Sequence, residues 1–299
     1  MSRFRFVLDD FYAEAPSLRA AFDERFADPR STREDRFVWD YWHLPDQYTQ
    51  LRTMAWEYFP EELYRPFHET IVRWARETLG CWDTSPPWLS CYIDGCQQHL
   101  HSDVPHGPWA WVFSLSPREL RFHGGETLIL RPETLDYWPR FNAGEDRERA
   151  RFVERIPSPF NRLVVFDPRF PHGVTRVSGT QDPREGRLVI HGWFTEPRPF
   201  VEGALSAEQV DEGIAPALEA IPEALAELSP LHGVLSVRLA VAASGEVEDV
   251  SVLANTLIRL EAPDDGEDEA TEAVLNHLAA ARFAPCAEPS RVTLPLLFQ

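Results

Sequence analysis

Three regimes of hydrophobic spacing follow one another along the chain. After a short apolar opening, RFVLDD, that reads as a strand, nonpolar residues recur at three- and four-residue intervals in SLRAAFDERFAD and again in PFHETIVRWARETLG. That period predicts a mainly helical segment over residues 5–80, the second helix closing on Gly80 as a C-cap. The aromatic residues of FVWDYWHL and MAWEYF are expected in the core or as a cover over a sheet. From Trp88 the spacing changes to short apolar runs separated by Gly, Pro and polar turns: WLSCYI, WAWVFSLS, ETLILR, RFVERI, RLVVFD and GRLVIHGWF. Such runs predict a strand-rich sandwich or barrel. Within it, Arg131 to Arg151 is polar and irregular and reads as an insertion over the barrel mouth, while Gly124-Gly125 suits a tight turn.

Past Phe194 the pattern changes again. EPRPFVEGALSAEQVDEGIAPALEAIPEALAELSP is rich in Pro, Ala and Glu and reads as a linker with one or two helices. GVLSVRLAVAASGEVEDVSVLAN then gives two alternating strands about a Ser244-Gly245 turn. An acidic loop, EAPDDGEDE, precedes an amphipathic helix, ATEAVLNHLAAARF, and a closing strand, SRVTLPLLF.

Composition narrows the function classes. The chain has 299 residues, 43% of them hydrophobic, with 19 Phe and 10 Trp, which is ample for a packed core. A formal net charge of -19 argues against a nucleic-acid surface and against an anionic membrane, since both need clustered Lys and Arg. The four Cys, at 81, 91, 96 and 286, form no C-x-x-C pair and are expected as reduced, largely buried thiols. With no signal peptide or apolar span legible in the sequence, a cytoplasmic setting is expected.

The candidate chemistry is concentrated in Tyr92 to Asp103, YIDGCQQHLHSD. His101 and Asp103 are two apart, which in an extended strand sends an imidazole and a carboxylate to one face. His172, in FDPRFPHGV at the start of a loop after LVVF, is the best third ligand. Two His and one carboxylate on one face of an ion is the arrangement of non-heme Fe(II) oxygenases. A cupin-like sandwich using three imidazoles, His99, His101 and His172, on Zn2+ or another divalent ion is the alternative enzyme. A non-catalytic scaffold whose C-terminal module does the binding is the third reading.

As a set, Y-x-x-G-x-x-x-x-x-H-x-D from Tyr92 to Asp103, then Gly124-Gly125-Glu126, His172 and the Arg187 strand, resembles the 2-oxoglutarate and Fe(II)-dependent dioxygenases, in particular the prolyl hydroxylase branch. The resemblance covers residues 85 to 195. It implies a double-stranded β-helix, or jelly-roll, with Fe(II) on His101, Asp103 and His172, 2-oxoglutarate and O2 as co-substrates, and ascorbate as a candidate reductant. It further implies release of succinate and CO2 as a peptide, protein side chain or small metabolite is hydroxylated. The far carboxylate of 2-oxoglutarate then needs a fixed guanidinium, which the resemblance assigns to Arg187, with Arg184 as runner-up. Tyr92 and His191 are the remaining candidates for co-substrate contact. Asp103 favours hydroxylation or desaturation, because halogenating relatives carry a small residue there. The last seventy residues, with GEVEDVSV and RFAPC, resemble the C-terminal domain of TonB-type energy transducers and imply an interaction or self-association module. The fold expected is therefore α+β: a jelly-roll oxygenase domain over 1–198 with N-terminal helices, a helical linker over 199–229, and a small α+β module over 230–299.

Overall fold

The computed structural model describes residues 4–26, 39–131, 152–226, 230–259 and 266–298. Two units divide the chain, one made of Arg5–Ile71 and Thr84–Thr195, the other chiefly of Val72–Asp83 and Glu196–Gln299. The strands in chain order are β1 (Arg5–Leu8), β2 (Asp40–Leu44), β3 (Tyr48–Met54), β4 (Cys81–Thr84), β5 (Trp88–Tyr92), β6 (Gln97–His101), β7 (Trp109–Ser114), β8 (Thr127–Leu130), β9 (Val153–Ile156), β10 (Leu163–Phe166), β11 (His172–Val174) and β12 (Arg187–Pro197). They form a curled, antiparallel half-barrel in the order β1-β10-β7-β12-β5-β3-β6-β11-β8-β9, with β2 added to β3.

The two faces of this sheet have separate jobs. Along β12 and β7, Gly192, Ile190 and Phe194 stand opposite Trp111, Phe113 and Trp109. Those large rings are fully buried, and Phe67, from helix α3 (Glu61–Leu79, after α1, Ala15–Arg25, and α2, Ala55–Tyr58), packs 4.8 Å from Phe113 and 6.4 Å from Trp111. The alternate positions, Val189, His191 and Trp193 against Ala110 and Val112, line a cavity of about 650 Å3 inside the curl. Period two thus sorts one strand into a core side and a cavity side. The Trp-rich run WAWVFSLS is therefore mostly core, and the cavity draws its indole walls chiefly from Trp88 and Trp193.

The N-terminal third departs from the helical expectation. Residues 40–54 form a β2–β3 hairpin, Asp40 facing Arg52 and Leu44 facing Tyr48, turning at Asp46 with φ 60°. β3 is stitched to β5 and β6, and this pairing overrides the weak local pattern of DYWHL and YTQLRTM. Tyr41 and Trp42 consequently lie at the surface, whereas Tyr58 is core. The expected insertion at Arg131 to Arg151 falls, from residue 132 onward, outside the described residues. The Gly124-Gly125 turn has φ of +77° and +76°, and a Cβ at Gly124 would stand 2.0 Å from the Arg176 carbonyl oxygen, so neither position tolerates a side chain cheaply.

In the second unit, β13 (Phe200–Glu202), β14 (Leu231–Val241), β15 (Val247–Asn255), β16 (Ile258–Arg259) and β17 (Ser290–Phe298) form a sheet of order β13-β17-β14-β15, with β16 on β14. Helix α5 (Gly266–Ala279) lies in sequence between β16 and β17. Helix α4 (Ala207–Ala224), which opens on a Ser206–Gln209 capping box, buries Val210, Ile214 and Ile221 against Leu235, Leu239, Val274 and Val292. The segment read as a linker therefore contributes to this unit's own core. All four Cys are free, three of them buried. Among the described residues no helix is long and apolar enough to cross a membrane.

Candidate metal centre

His101 closes β6 and His172 opens β11, and the two stand opposite each other in the antiparallel pair. That pairing is tight. A Cβ on Gly173 would lie 2.5 Å from the Gln98 carbonyl oxygen, so the strands close to this spacing because the residue after His172 has no side chain. His172 thus sits in a three-residue strand, where a loop was expected. It is presented by the turn Asp167 to Pro171, in which buried Asp167 accepts from the Arg169 backbone N–H at 2.9 Å and Phe166 lies edge-on to the imidazole at 4.8 Å.

Asp103 reaches the same point by a route the sequence argument did not foresee. β6 ends at His101, and Asp103 lies beyond it at φ -118°, ψ 34°, heading a 3-10 turn over Val104–His106, with its N–H on the Pro168 carbonyl at 3.0 Å. A bend of the chain, not strand alternation, brings imidazole and carboxylate together. His172 Nε2 lies 3.3 Å and His101 Nε2 3.6 Å from Asp103 Oδ2, and the three ligand atoms are all within 4.8 Å of one another. Atoms each about 2.1 Å from one ion at right angles would stand about 3 Å apart, so a small inward movement suffices.

Backbone carbonyls fix which nitrogens face that point. His101 Nδ1 lies 2.8 Å from the His99 carbonyl oxygen and His172 Nδ1 3.0 Å from that of Phe170. A carbonyl oxygen only accepts, so each Nδ1 carries a proton, and Nε2 is the nitrogen each ring turns toward Asp103 Oδ2; a proton there bonds the carboxylate, and an ion would take its place. The Gln98 side-chain amide lies 3.2 Å from His101 Nε2. Burial disfavours the Asp103 carboxylate, yet hydrogen bonds from His101 and His172 outweigh it and hold its pKa well below the usual range. Burial also works against a charged His101, but Asp103 and the His99 carbonyl raise its pKa on balance. The imidazole of His99 is exposed and hydrogen-bonds Gln97, so among the described residues the clustered ligands are two imidazoles and a carboxylate, not three imidazoles.

The remaining sequence candidates separate clearly. Arg187 is 1% exposed, on the cavity wall, beside Tyr92 in the β12–β5 pair. Its guanidinium lies 4.8 Å over the Tyr92 ring and donates from Nη2 to Thr127 Oγ1 at 3.3 Å, while Nε and Nη1 are buried without any partner. Burial pulls its pKa down. Arg184 is exposed and paired with Asp182 at 2.8 Å. Tyr92 is buried, its hydroxyl 3.5 Å from Gln98 Oε1 and its pKa pushed up to about 12 by burial. His191 bonds Ser90 Oγ at 2.8 Å, and burial, helped by Arg187 and Arg52, drives its pKa down to about 3, so it is neutral. Sequence reasoning missed Thr127, Gln98 and Arg52. Alternation from Arg187 could not reveal them, because each comes from a different strand.

Comparison with solved structures gives weak but recurrent likenesses. A prolyl hydroxylase from Trichoplax adhaerens in complex with a hypoxia inducible factor oxygen degradation domain peptide fragment aligns over 64% of this chain and 83% of its own, at 13% identity and a TM-score of 0.45. A Pseudomonas putida prolyl-4-hydroxylase aligns over 64% and 92%, at 16% identity and 0.44. An oxidoreductase of the 2OG-Fe(II) oxygenase family from Burkholderia pseudomallei aligns over 65% and 86%, at 12% identity and 0.44. At these values the likeness defines neither family nor activity. No protein-family model and no curated protein sequence matches the chain.

Proposed function

We propose that the chain is an Fe(II)- and 2-oxoglutarate-dependent dioxygenase that hydroxylates a C–H bond of a small molecule or a peptide side chain. The observation that carries this reading is the pairing, in one cavity, of a two-His, one-carboxylate cluster with a buried guanidinium that has two N–H groups unused. Glu126 supports the Arg187 charge only from a distance and no described carboxylate pairs with it, so the buried cation is costly, and a cavity-facing one is matched by an anion that arrives with the ligand.

The donor set fits ferrous iron: two neutral imidazole nitrogens and one carboxylate oxygen leave the other side of the ion open. His101, Asp103 and His172 would hold it. Bound Fe(II) supplies the redox chemistry by which 2-oxoglutarate, O2 and R–H become succinate, CO2 and R–OH. The chain's own residues do the rest. Arg187 offers the far carboxylate of 2-oxoglutarate its unpartnered Nη1 and the adjoining N–H of Nη2 as a parallel fork, while the other Nη2 hydrogen goes to Thr127. Tyr92 walls the same space, and His191, neutral and tied to Ser90, adds no charge between them. Trp88, Trp193, Val112 and Val189 give the substrate an apolar enclosure that limits water. Ascorbate is the candidate reductant, and the cytoplasm, where iron and 2-oxoglutarate are at hand, is the proposed setting.

For the C-terminal unit the order β14, β15, α5, β17 supports a TonB-C-terminal-like binding or self-association module, in which α4 is included. The test of the main reading is succinate release from 2-oxoglutarate under Fe(II) and O2. His101→Ala, Asp103→Ala and His172→Ala should each abolish it together with stoichiometric iron. Full turnover in any of these variants refutes the assignment.

A further inference from the structure

The cavity contains a second cation to which the reading above gives no role. β3 presents Tyr48, Gln50 and Arg52 to it from alternate positions. The Arg52 guanidinium carbon lies 3.0 Å from the centroid of the Trp42 ring and 3.9 Å from that of Trp88. Two indoles with centroids 6.4 Å apart and planes inclined at 59° hold the guanidinium between them, leaving its N–H edges as the way to a further partner. Among the described residues no acceptor takes one of them, and Nε is buried without a partner. Asp40, its cross-strand neighbour, supports its charge through space without a direct ion pair among the described residues. Gln50 is 4% exposed, and its Oε1 is likewise unpartnered. Arginine cannot shed its proton to escape this desolvation. Nor does the protein attract anions as a whole, at a net charge of -19, so a clamped and unpaired arginine acts locally.

Arg52 is also differently placed from Arg187. Arg187 bonds Thr127 of β8, the strand paired with His172 through Ile129, whereas Arg52 lies opposite Ser90 of β5. The two arginines stand on the strands either side of β5, both within electrostatic reach of Tyr92 and His191, and two cations so spaced along one cavity wall suit two different carboxylates. We propose that Arg52, held between Trp42 and Trp88, is the specificity-determining residue for a substrate carboxylate, the substrate being an acid whose apolar, ring-sized body lies against Trp88 and Trp193. That the acid is then oxidised rests on the dioxygenase reading; that it binds does not.

The test is calorimetric titration of the full chain, anaerobic with Fe(II) and saturating 2-oxoglutarate, with indole-3-acetate, indole-3-propionate and 3-phenylpropionate, each against its primary amide. At least one acid should bind about tenfold or more tightly than its amide, ~1.4 kcal/mol. Arg52→Gln should remove that preference, and Trp42→Ala, on the exposed hairpin, should weaken it by freeing the guanidinium; the second variant decides if the first does not fold. Acids and amides binding alike, or a preference that survives Arg52→Gln, overturns the proposal. So does an Arg52→Gln chain whose defect is in 2-oxoglutarate affinity, since Arg52 would then belong to the co-substrate. Repeating the titration without metal separates the two ideas. Acid preference in a chain that never turns over 2-oxoglutarate keeps the anion site and sinks the dioxygenase, and the converse sinks the anion site alone.

Discussion

Replacing Arg187 by Met should move stability in opposite directions with and without 2-oxoglutarate. In the ligand-free protein the guanidinium is 1% exposed, spends one N–H on Thr127 and leaves Nε and Nη1 unpaired. Substituting a buried, poorly paired charge by an apolar chain of similar length is neutral or stabilising by about 1–4 kcal/mol, and since the cavity admits water the lower half, about 1–2 kcal/mol, applies. In a domain of this size that raises the melting temperature by about 2–8 °C. With 2-oxoglutarate bound, the variant loses two charge-assisted hydrogen bonds of about 1.5–3 kcal/mol each, or roughly 10²- to 10⁴-fold in affinity. Ligand at a hundred times its Kd stabilises the wild type by about 2.7 kcal/mol and the variant hardly at all. Thermal melts of the iron-loaded, anaerobic proteins should therefore show Arg187→Met above wild type without the keto acid and below it with the keto acid. A variant that melts lower in both conditions, or that 2-oxoglutarate protects as well as wild type, refutes the assignment of Arg187.

Three further outcomes are expected. Thr127→Val removes one hydrogen bond to Arg187, about 1 kcal/mol, and should raise the 2-oxoglutarate requirement about fivefold in succinate assays. Gly173→Ala places a methyl 2.5 Å from the Gln98 carbonyl oxygen; prising β6 from β11 should cost about 1–3 kcal/mol and show as sub-stoichiometric iron. His191 has a folded pKa of about 3, below the ordinary value near 6.5, so its contribution to stability is complete above pH 6.5 and falls away as pH drops toward 3; His191→Gln should flatten the decline in melting temperature over that window.

How much of this could be read from the sequence depended on whether a residue's neighbours in space were also its neighbours in the chain. His101 and Asp103 are two apart, and any fold that holds one near an ion holds the other close by, even though a bend and not a strand does it here. The period of RLVIHGWF put Arg187, His191 and Trp193 on one face, and all three line the cavity. Arg184 and Arg187 could not be told apart by spacing; burial and the Asp182 pair separate them. The β2–β3 hairpin was illegible because its strand character comes from β5 and β6, 34 to 50 residues away, and the wall it supplies, Gln50 and Arg52, went unseen with it. His172 looked like loop because three residues are too few to show alternation.

The main-chain tethers on His101 and His172 carry a cost in discrimination. Imidazoles aimed in advance by the carbonyls of His99 and Phe170 spare an incoming ion the work of assembling its donors, but they do so for every divalent ion of similar radius. By the usual ordering of first-row metals, cobalt, nickel, copper and zinc then bind more tightly than iron. Which of them fills the site is decided by the supply of each in the surrounding fluid, and, on the proposed iron-dependent reaction, a surplus of nickel or zinc would block turnover without unfolding the chain.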